Sequence, residues 1–239
     1  MITIKKNRIK KALRGYPYKI RFKRKCTSTN DEIKTKKDFT VLISLCQTKG
    51  KGTRGRAFFS PKNKGVYFSV LLKDKAFSDK YITPMSAVAV TDALATVSSE
   101  DFGIKWVNDI YLRDKKVCGI LAEKGEYGLV VGVGINLEQP DDGYGEYNDV
   151  ATSVFKVAPE NVAEKTVTEF LKRFYEYLAG EAFYAEYVKR CLVVKKRVKL
   201  SDGREAYCKN VNEDFSITVV FDDGKEEKIR SGDVSIKLK

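Results

Sequence analysis

Apolar and basic residues alternate over residues 18–25, with Ile20 and Phe22 in phase, and predict a strand with one solvated face. The polar run Thr27-Ser28-Thr29-Asn30-Asp31-Glu32 then leads into Ile33, and a Ser or Thr cap followed by acids predicts a short helix. Residues 39–45 predict a buried strand that gives out at Gln47, and residues 66–72 are β-rich enough for a central strand. Thr83-Pro84 predicts a cap with proline at the first helical position, opening a helix to about Ser98. Ala and Val on most of its faces imply burial against a sheet. Three more strands are expected at 104–107, at 117–122 after a turn at 113–116, and at 129–137, followed by a mobile loop over 141–149. Asn161 with Glu164 predicts a capping box, opening a helix on which Val167, Phe170, Leu171, Phe174, Tyr175 and Leu178 share a face. A second helical stretch covers 181–190. Beyond it the texture changes to short alternating segments around Val198, Tyr207, 217–219 and 234–236, broken by Ser201-Asp202-Gly203, Asn212-Glu213-Asp214 and Asp222-Asp223-Gly224. The expected class is α+β, with a large domain over 1–190 and a small all-β barrel or sandwich over 191–239.

Composition narrows the chemistry. The 239 residues are 43% hydrophobic, as in a globular protein, and no apolar run approaches the roughly 20 residues of a membrane span. The N-terminus lacks the apolar core of a signal peptide, so a cytoplasmic address is expected. Cys26, Cys46, Cys118, Cys191 and Cys208 are odd in number and scattered, against a disulfide framework or a structural zinc site. Histidine is absent, which removes every Ser-His, Cys-His and His-metal mechanism. Catalysis then rests on Lys, Arg, Asp, Glu, backbone amides or a bound metal. The net charge of +13 is local: residues 1–25 carry 11 cations and no acid, against 34 basic and 32 acidic residues in the remainder. This leader suits RNA, a membrane surface or an acidic partner, or else is a solvated arm or an edge strand guarded by lysines.

Four short patterns carry candidate chemistry. In Gly50-Lys51-Gly52-Thr53-Arg54-Gly55-Arg56 close glycines let backbone amides approach an anion while Lys51, Arg54 and Arg56 add charge, although an ordinary basic hairpin loop reads the same way. Lys105-Trp106-Val107-Asn108-Asp109 delivers a cation, an amide and a carboxylate at a strand end, suited to phosphate, base recognition or Mg²⁺, or else to a plain turn. Lys116 stands at the mouth of a buried strand that contains Gly119, where a ligand often approaches, and Cys118 reads as core. Gly132 and Gly134 project to one face of the last strand, leaving a bare strip for a flat ligand or for a close helix crossing.

Taken in order, Ser28-Thr29-Asn30, Gln47 with the 50–56 loop, Lys105-Trp106-x-Asn108-Asp109, Lys116-x-x-Gly119-Ile120 and Gly132-x-Gly134-Ile135-Asn136 resemble the biotin protein ligase family across residues 27–137. The tail that ends Ser231-Gly232-Asp233-Val234-Ser235-Ile236 resembles that family's C-terminal SH3-like domain. The resemblance implies a mixed-sheet catalytic domain of the biotin/lipoate ligase type. It further implies activation of biotin by MgATP to biotinyl-5′-AMP, then acylation of one lysine of a biotin carboxyl carrier domain, with no redox cofactor. By the same match Ser28, Thr29, Asn30, Gln47 and Gly50 would contact biotin, with Gly119, Gly132 and Gly134 lining its pocket. Lys51 and Lys116 would stand at the activated carboxylate. Arg54, Arg56, Phe58, Lys105, Trp106, Asn108, Asn136 and Lys237 would serve the nucleotide and Asp109 the Mg²⁺.

Departures from the family pattern carry expectations of their own. Thr53 stands where many members have an arginine that helps retain the adenylate; Phe58 replaces a frequent tryptophan, Val107 a frequent proline and Lys237 a frequent arginine. Only 26 residues precede the Thr27 motif, too few for the winged-helix domain of the repressor members, so no DNA partner is expected and the leader is expected to be structural or to dock an acidic carrier. A monomer or homodimer off the membrane is expected. The related lipoate or octanoate ligases usually show a His-Asp pair after the Gly-rich motif, which this chain lacks, and a non-enzymatic nucleic-acid module leaves the ordered motifs unexplained.

Overall fold

The computed structural model describes residues 1–73 and 79–230, together with the backbone of 237–238; at 79–80 the backbone alone is described. In chain order the elements are α1 (Lys6–Ala12), β1 (Lys19–Lys23), α2 (Thr29–Ile33), β2 (Thr40–Ser44), β3 (Gly65–Leu72), α3 (Asp79–Ala95), β4 (Gly103–Lys105), β5 (Asp109–Leu112), β6 (Lys115–Gly125) and β7 (Gly128–Asn136). They continue with α4 (Val162–Leu178), α5 (Tyr184–Arg190), β8 (Lys196–Lys199), β9 (Glu205–Val211), β10 (Ile217–Val220), β11 (Glu226–Ile229) and β12 (Lys237–Leu238). Strands β1 to β7 form one mixed sheet in the order β1-β2-β3-β7-β6-β5-β4, with only β1 and β2 parallel.

Side-chain alternation separates the faces of this sheet. Ile20, Val41, Ile43, Phe68, Val70, Ile120, Val131, Val133 and Ile135 join the large core with α3 and α4. Leu42, Leu71 and Val130 point the other way and pack with Ile33 of α2, so the short helix lies on the opposite face. The same parity sends Tyr67, Ser69, Gly119, Leu121, Glu123, Gly132 and Gly134 to the α2 face, where a site has room to form.

Several sequence expectations change in the fold. Residues 6–12 of the basic leader form a helix, because Ile9 and Leu13 stand one turn apart and are buried. α3 starts at Asp79, before the expected Thr83 cap, and takes Pro84 inside. One missing backbone bond is tolerated there because Ala87, Val88, Ala89, Val90 and Ala93 are fully buried. The capping box does not form: Asn161 is left-handed at φ 63°, which turns its side chain away, and Glu164 instead accepts the amide of Lys5 at 2.9 Å. Residues 109–112, for which no strand was expected, pair as one, with Lys105 directly opposite Asp109. The 141–149 loop is anchored, with Val150 O accepting the Lys116 amide at 2.9 Å and Asn148 Oδ1 that of Tyr144 at 2.7 Å.

The C-terminal strands form an antiparallel sheet in the order β11-β10-β9-β8-β12. Among the described residues β11 and β12 are the end strands of this sheet, in keeping with the small all-β unit expected there, and residues 231–236 lie outside the described residues. The five cysteines are free. No helix among the described residues is long and apolar enough to cross a membrane.

Candidate functional site

Register builds the floor. Ser69 pairs with Gly132 and Gly132 with Leu121, while one rung along Tyr67 pairs with Gly134 and Gly134 with Gly119. These two rungs, neighbours on the cleft face, cross three strands and carry three glycines, two on β7 and one on β6. The result is a cleft of about 410 Å³, its open mouth included, between this floor, α2 and the 50–58 loop. Its lining includes Ser28, Thr29, Asn30, Gln47, Lys51 and Thr53 from above, and Asn108, Lys116 and the three glycines from the sheet.

The bare strip is covered by two side chains. A Cβ at Gly132 would overlap Asn30 Oδ1, and one at Gly134 or Gly119 would come within 2.5 and 2.9 Å of the Phe58 ring. Of the two readings of this strip, the helix crossing holds at Gly132 and a flat apolar ring lies over the other two. Phe58 stands edge-on to Tyr67 at 6.3 Å between ring centres.

At the inner end the polar groups form one closed network. Ser69 Oγ donates to Asn30 Oδ1 at 2.6 Å and lies 2.8 Å from Thr29 Oγ1. Asn30 Nδ2 donates to Glu123 Oε2 at 2.7 Å, and Gln47 Oε1 accepts the Thr29 amide at 2.8 Å and its hydroxyl at 3.1 Å. Gln47 Nε2 donates onward to Ser60 Oγ at 3.1 Å. Gly50 is held because a Cβ there would overlap Phe58 O, and Phe58 N donates to Gly50 O at 2.9 Å. Ser69 and Glu123 carry no motif of their own in the sequence; their signal is a polar residue at a cleft-facing strand position.

Cations gather at the mouth. Lys116 Nζ is 2.7 Å from Asp109 Oδ1 and 5.7 Å from the centre of the Phe58 ring. Lys51 Nζ is 2.7 Å from Asp31 Oδ1, which also takes Lys34 at 3.0 Å. Partial burial pushes the Asp31 carboxyl up, but the hydrogen bonds from Lys51 and Lys34 outweigh it and hold its pKa below the usual value. Asn108 Nδ2 bridges Asp109 Oδ1 and Ile120 O, each at 3.0 Å. Burial lowers the pKa of Lys105; the Asp109 charge opposes the shift and Arg56 adds to it. Lys105, Arg56, Asp109 and Lys116 thus share one electrostatic neighbourhood. Arg56 is oriented by the Thr53 carbonyl and hydroxyl at 3.3 and 3.2 Å, and Arg54 is left-handed at φ 59°.

Two expected nucleotide contacts have their side chains engaged outside the cleft lining, and the side chain of a third is not among those described. Trp106 is buried with Nε1 donating to Phe215 O at 2.7 Å, so its ring serves the junction with the second sheet, where the hydrogen bond it requires is available. Asn136 is buried and donates to Thr152 O at 3.1 Å, outside the cleft lining. Lys237 pairs in β12 opposite Lys199, and its side chain lies outside the described residues. No group of three or more Cys, Asp or Glu suited to a metal occurs among the described residues. A single carboxylate, Asp109, beside three cations fits Mg²⁺ carried on phosphates better than a resident ion.

Residues 18–139 match the biotin/lipoate A/B protein ligase family. The bifunctional ligase/repressor BirA of Bacillus subtilis is 32% identical over 152 residues, covering 58% of this chain and 47% of that protein. The biotin–[acetyl-CoA-carboxylase] ligase of Mycobacterium tuberculosis is 29% identical over 175 residues, covering 68% and 65%. Among solved structures, the biotin protein ligase from Aquifex aeolicus in complex with biotin and ATP matches with a TM-score of 0.82 at 27% identity, over 94% of this chain and 100% of that one. The chain spans about half the length of the BirA proteins it matches.

Proposed function

The chain belongs to the biotin/lipoate A/B protein ligase family, and from that premise we propose that it is an ATP-dependent biotin protein ligase. The observation that carries the reading is a cleft with a closed polar network at its inner end and two lysines at its mouth. In the first half-reaction a biotin carboxylate oxygen attacks the α-phosphorus of ATP, the bond to the β-phosphate oxygen breaks, and pyrophosphate leaves with biotinyl-5′-AMP formed. In the second, the ε-amine of a carrier-domain lysine attacks the acyl carbon, loses a proton, and displaces AMP.

The residues divide this work. Ser28, Thr29, Asn30 and Gln47 hydrogen-bond the polar ring of biotin, with Gly50 shaping the loop above and Gly119, Gly132 and Gly134 lining the pocket. Glu123 and Ser69 fix the Asn30 amide, so its polar edge is presented without reorganisation. Lys116 and Lys51 meet the carboxylate and α-phosphate, and Lys105, Arg54, Arg56, Phe58 and Asn108 serve the nucleotide. Mg²⁺ on the phosphates, which neutralises their charge, would meet Asp109. The partner is a carrier domain of a biotin-dependent carboxylase.

Pyrophosphate exchange into ATP tests the reading. Exchange with biotin, and none with lipoate or without acid, is the expected result. Exchange with lipoate alone moves the chain to the lipoate branch of the family, and silence in all three overturns the ligase reading.

Thr53 makes a separate prediction. Thr53 lines the cleft where many family members place an arginine, and it supplies no charge to hold a departing adenylate. Biotinyl-AMP is therefore expected to escape and label serum albumin more strongly with the unaltered chain than with Thr53→Arg. Equal labelling by both refutes this.

A further inference from the structure

The basic leader divides across the sheet. Ile20 and Phe22 turn toward the large core, so Lys19, Arg21 and Lys23, at the alternate positions of β1, project to the α2 face. Lys23 meets Glu32 of α2 there at 2.5 Å. α1 lies on the other side, where Ile9 and Leu13 join the core with α4, Arg8 bonds Asn161 and the Lys5 amide bonds Glu164. Only the β1 half of the leader therefore shares a face with the cleft, and the expected docking of an acidic carrier cannot involve α1.

Register ties the β1 half to the site. Lys23 pairs with Ser44, Ser44 with Tyr67 and Tyr67 with Gly134, while Arg21 leads in the same way through Leu42 and Ser69 to Gly132. Three strand spacings put β1 about 14 Å from the glycine floor. The same pairing offset continues to Cys26 and Gln47, and just beyond it the Lys49 amide donates to Thr27 O at 2.8 Å, next to the loop that carries Lys51. Lys19, Arg21, Lys25 and Lys49 are exposed and make no ion pair among the described residues. The acids close by are already engaged: Asp31 by Lys34 and Lys51, Glu32 by Lys23 and the Thr27 amide, and Asp38 by the amides of Phe39 and Lys73. Protection of a sheet edge accounts for cations on β1, the end strand, but not for Lys49 in a loop past its end.

We propose that this row of cations, from β1 to Lys49, is a docking rim for an acidic surface of the protein that carries the acceptor lysine; the inference rests on the ligase reading. Distance selects the occupant. The span from β1 to the floor exceeds the roughly 8 Å over which exposed charges act at physiological salt, so β1 does not hold the phosphates of a nucleotide in the cleft. A protein has the right size, because a standard interface takes about 800 Å² of each partner, a patch roughly 30 Å across that covers both the mouth and β1. Rim charges of this kind speed encounter and fix orientation without entering the chemistry.

The test separates the two half-reactions and the two faces. One variant carries Lys19→Glu, Arg21→Glu and Lys25→Glu; a control carries Lys6→Glu, Lys10→Glu and Lys11→Glu on α1, which changes the net charge by the same amount on the far side of the sheet. With an apo biotin carboxyl carrier domain as acceptor, the β1 variant is expected to show a carrier KM raised at least about 10-fold at about 50 mM salt, and by less at about 300 mM. Its kcat and its biotin-dependent pyrophosphate exchange stay unchanged, and the α1 control matches the unaltered chain. Glutamine at 19, 21 and 25 gives the same direction if charge reversal disturbs β1, and unchanged thermal melting shows the fold is retained. An unchanged carrier KM with exchange intact, or an equal rise in the α1 control, overturns the docking rim alone. Absence of exchange in the unaltered chain overturns the ligase reading and the rim with it. A carrier whose Asp and Glu beside the acceptor lysine are changed to Asn and Gln is expected to abolish the difference between the β1 variant and the unaltered chain; an undiminished difference overturns the acidic partner.

Discussion

Lys116→Ala is expected to slow adenylate formation in single turnover by at least about 100-fold, in line with the roughly 3–4 kcal/mol that one preorganised charge supplies. The reaction brings a carboxylate to a phosphate and spreads further negative charge over the phosphoryl oxygens. Asp109 holds the Lys116 ammonium at 2.7 Å, and the side chain runs beside Gly119, where a Cβ would lie 3.0 Å from its Nζ. The cation is thus in place before substrates arrive. Alanine removes it and takes from Asp109 its paired cation beside the incoming phosphates, so two effects act in one direction. Stability should change little, because the pair is partly exposed and such pairs contribute about 0–1 kcal/mol. Near wild-type adenylation in the variant would remove Lys116 from the mechanism.

Phe215→Ala is expected to cost about 3–5 kcal/mol of unfolding free energy, read as a lower urea midpoint at unchanged slope. Phe215 lies in the turn between β9 and β10, yet it is 5% exposed. Its ring stacks on Phe183 at 5.4 Å and meets Tyr187 edge-on at 5.1 Å, Tyr184 at 5.6 Å and Tyr81 at 5.8 Å. Its carbonyl accepts the Trp106 indole N–H. One turn of the second sheet is therefore the plug that seats it on α3, α5 and the β4–β5 hairpin. Removing the ring opens a cavity that the converging segments cannot jointly close. A loss below about 1 kcal/mol would show that the junction is held by other groups.

The central strands were legible because their apolar runs are long and bounded by turn residues. Residues 66–72 and 129–137 formed strands within a residue of expectation. α1 was not legible, since two buried residues, Ile9 and Leu13, had to be recognised inside a run of lysines whose charge dominates the local pattern. β5 was missed because Asn108-Asp109 reads as a turn, and only cross-strand pairing with Lys105 and Gly119 draws Asp109 into a ladder. Trp106 followed its motif in sequence, but a buried indole goes where its N–H is satisfied, and that partner lies 109 residues away.

By itself the sequence determined the absence of histidine chemistry, the parity that sends Gly132 and Gly134 to one face, the order of the motifs and the concentration of positive charge in the first 25 residues. These are properties of composition and of the two-residue period of a strand, which need no partner. Tertiary structure alone decided that Gly119 lies beside Gly134, that Glu123 and Ser69 orient Asn30, that Asp109 pairs with Lys116, and that the basic helix lies across the sheet from the cleft. Each depends on strand register or on a contact between distant segments, and neither is encoded within any local window of the chain.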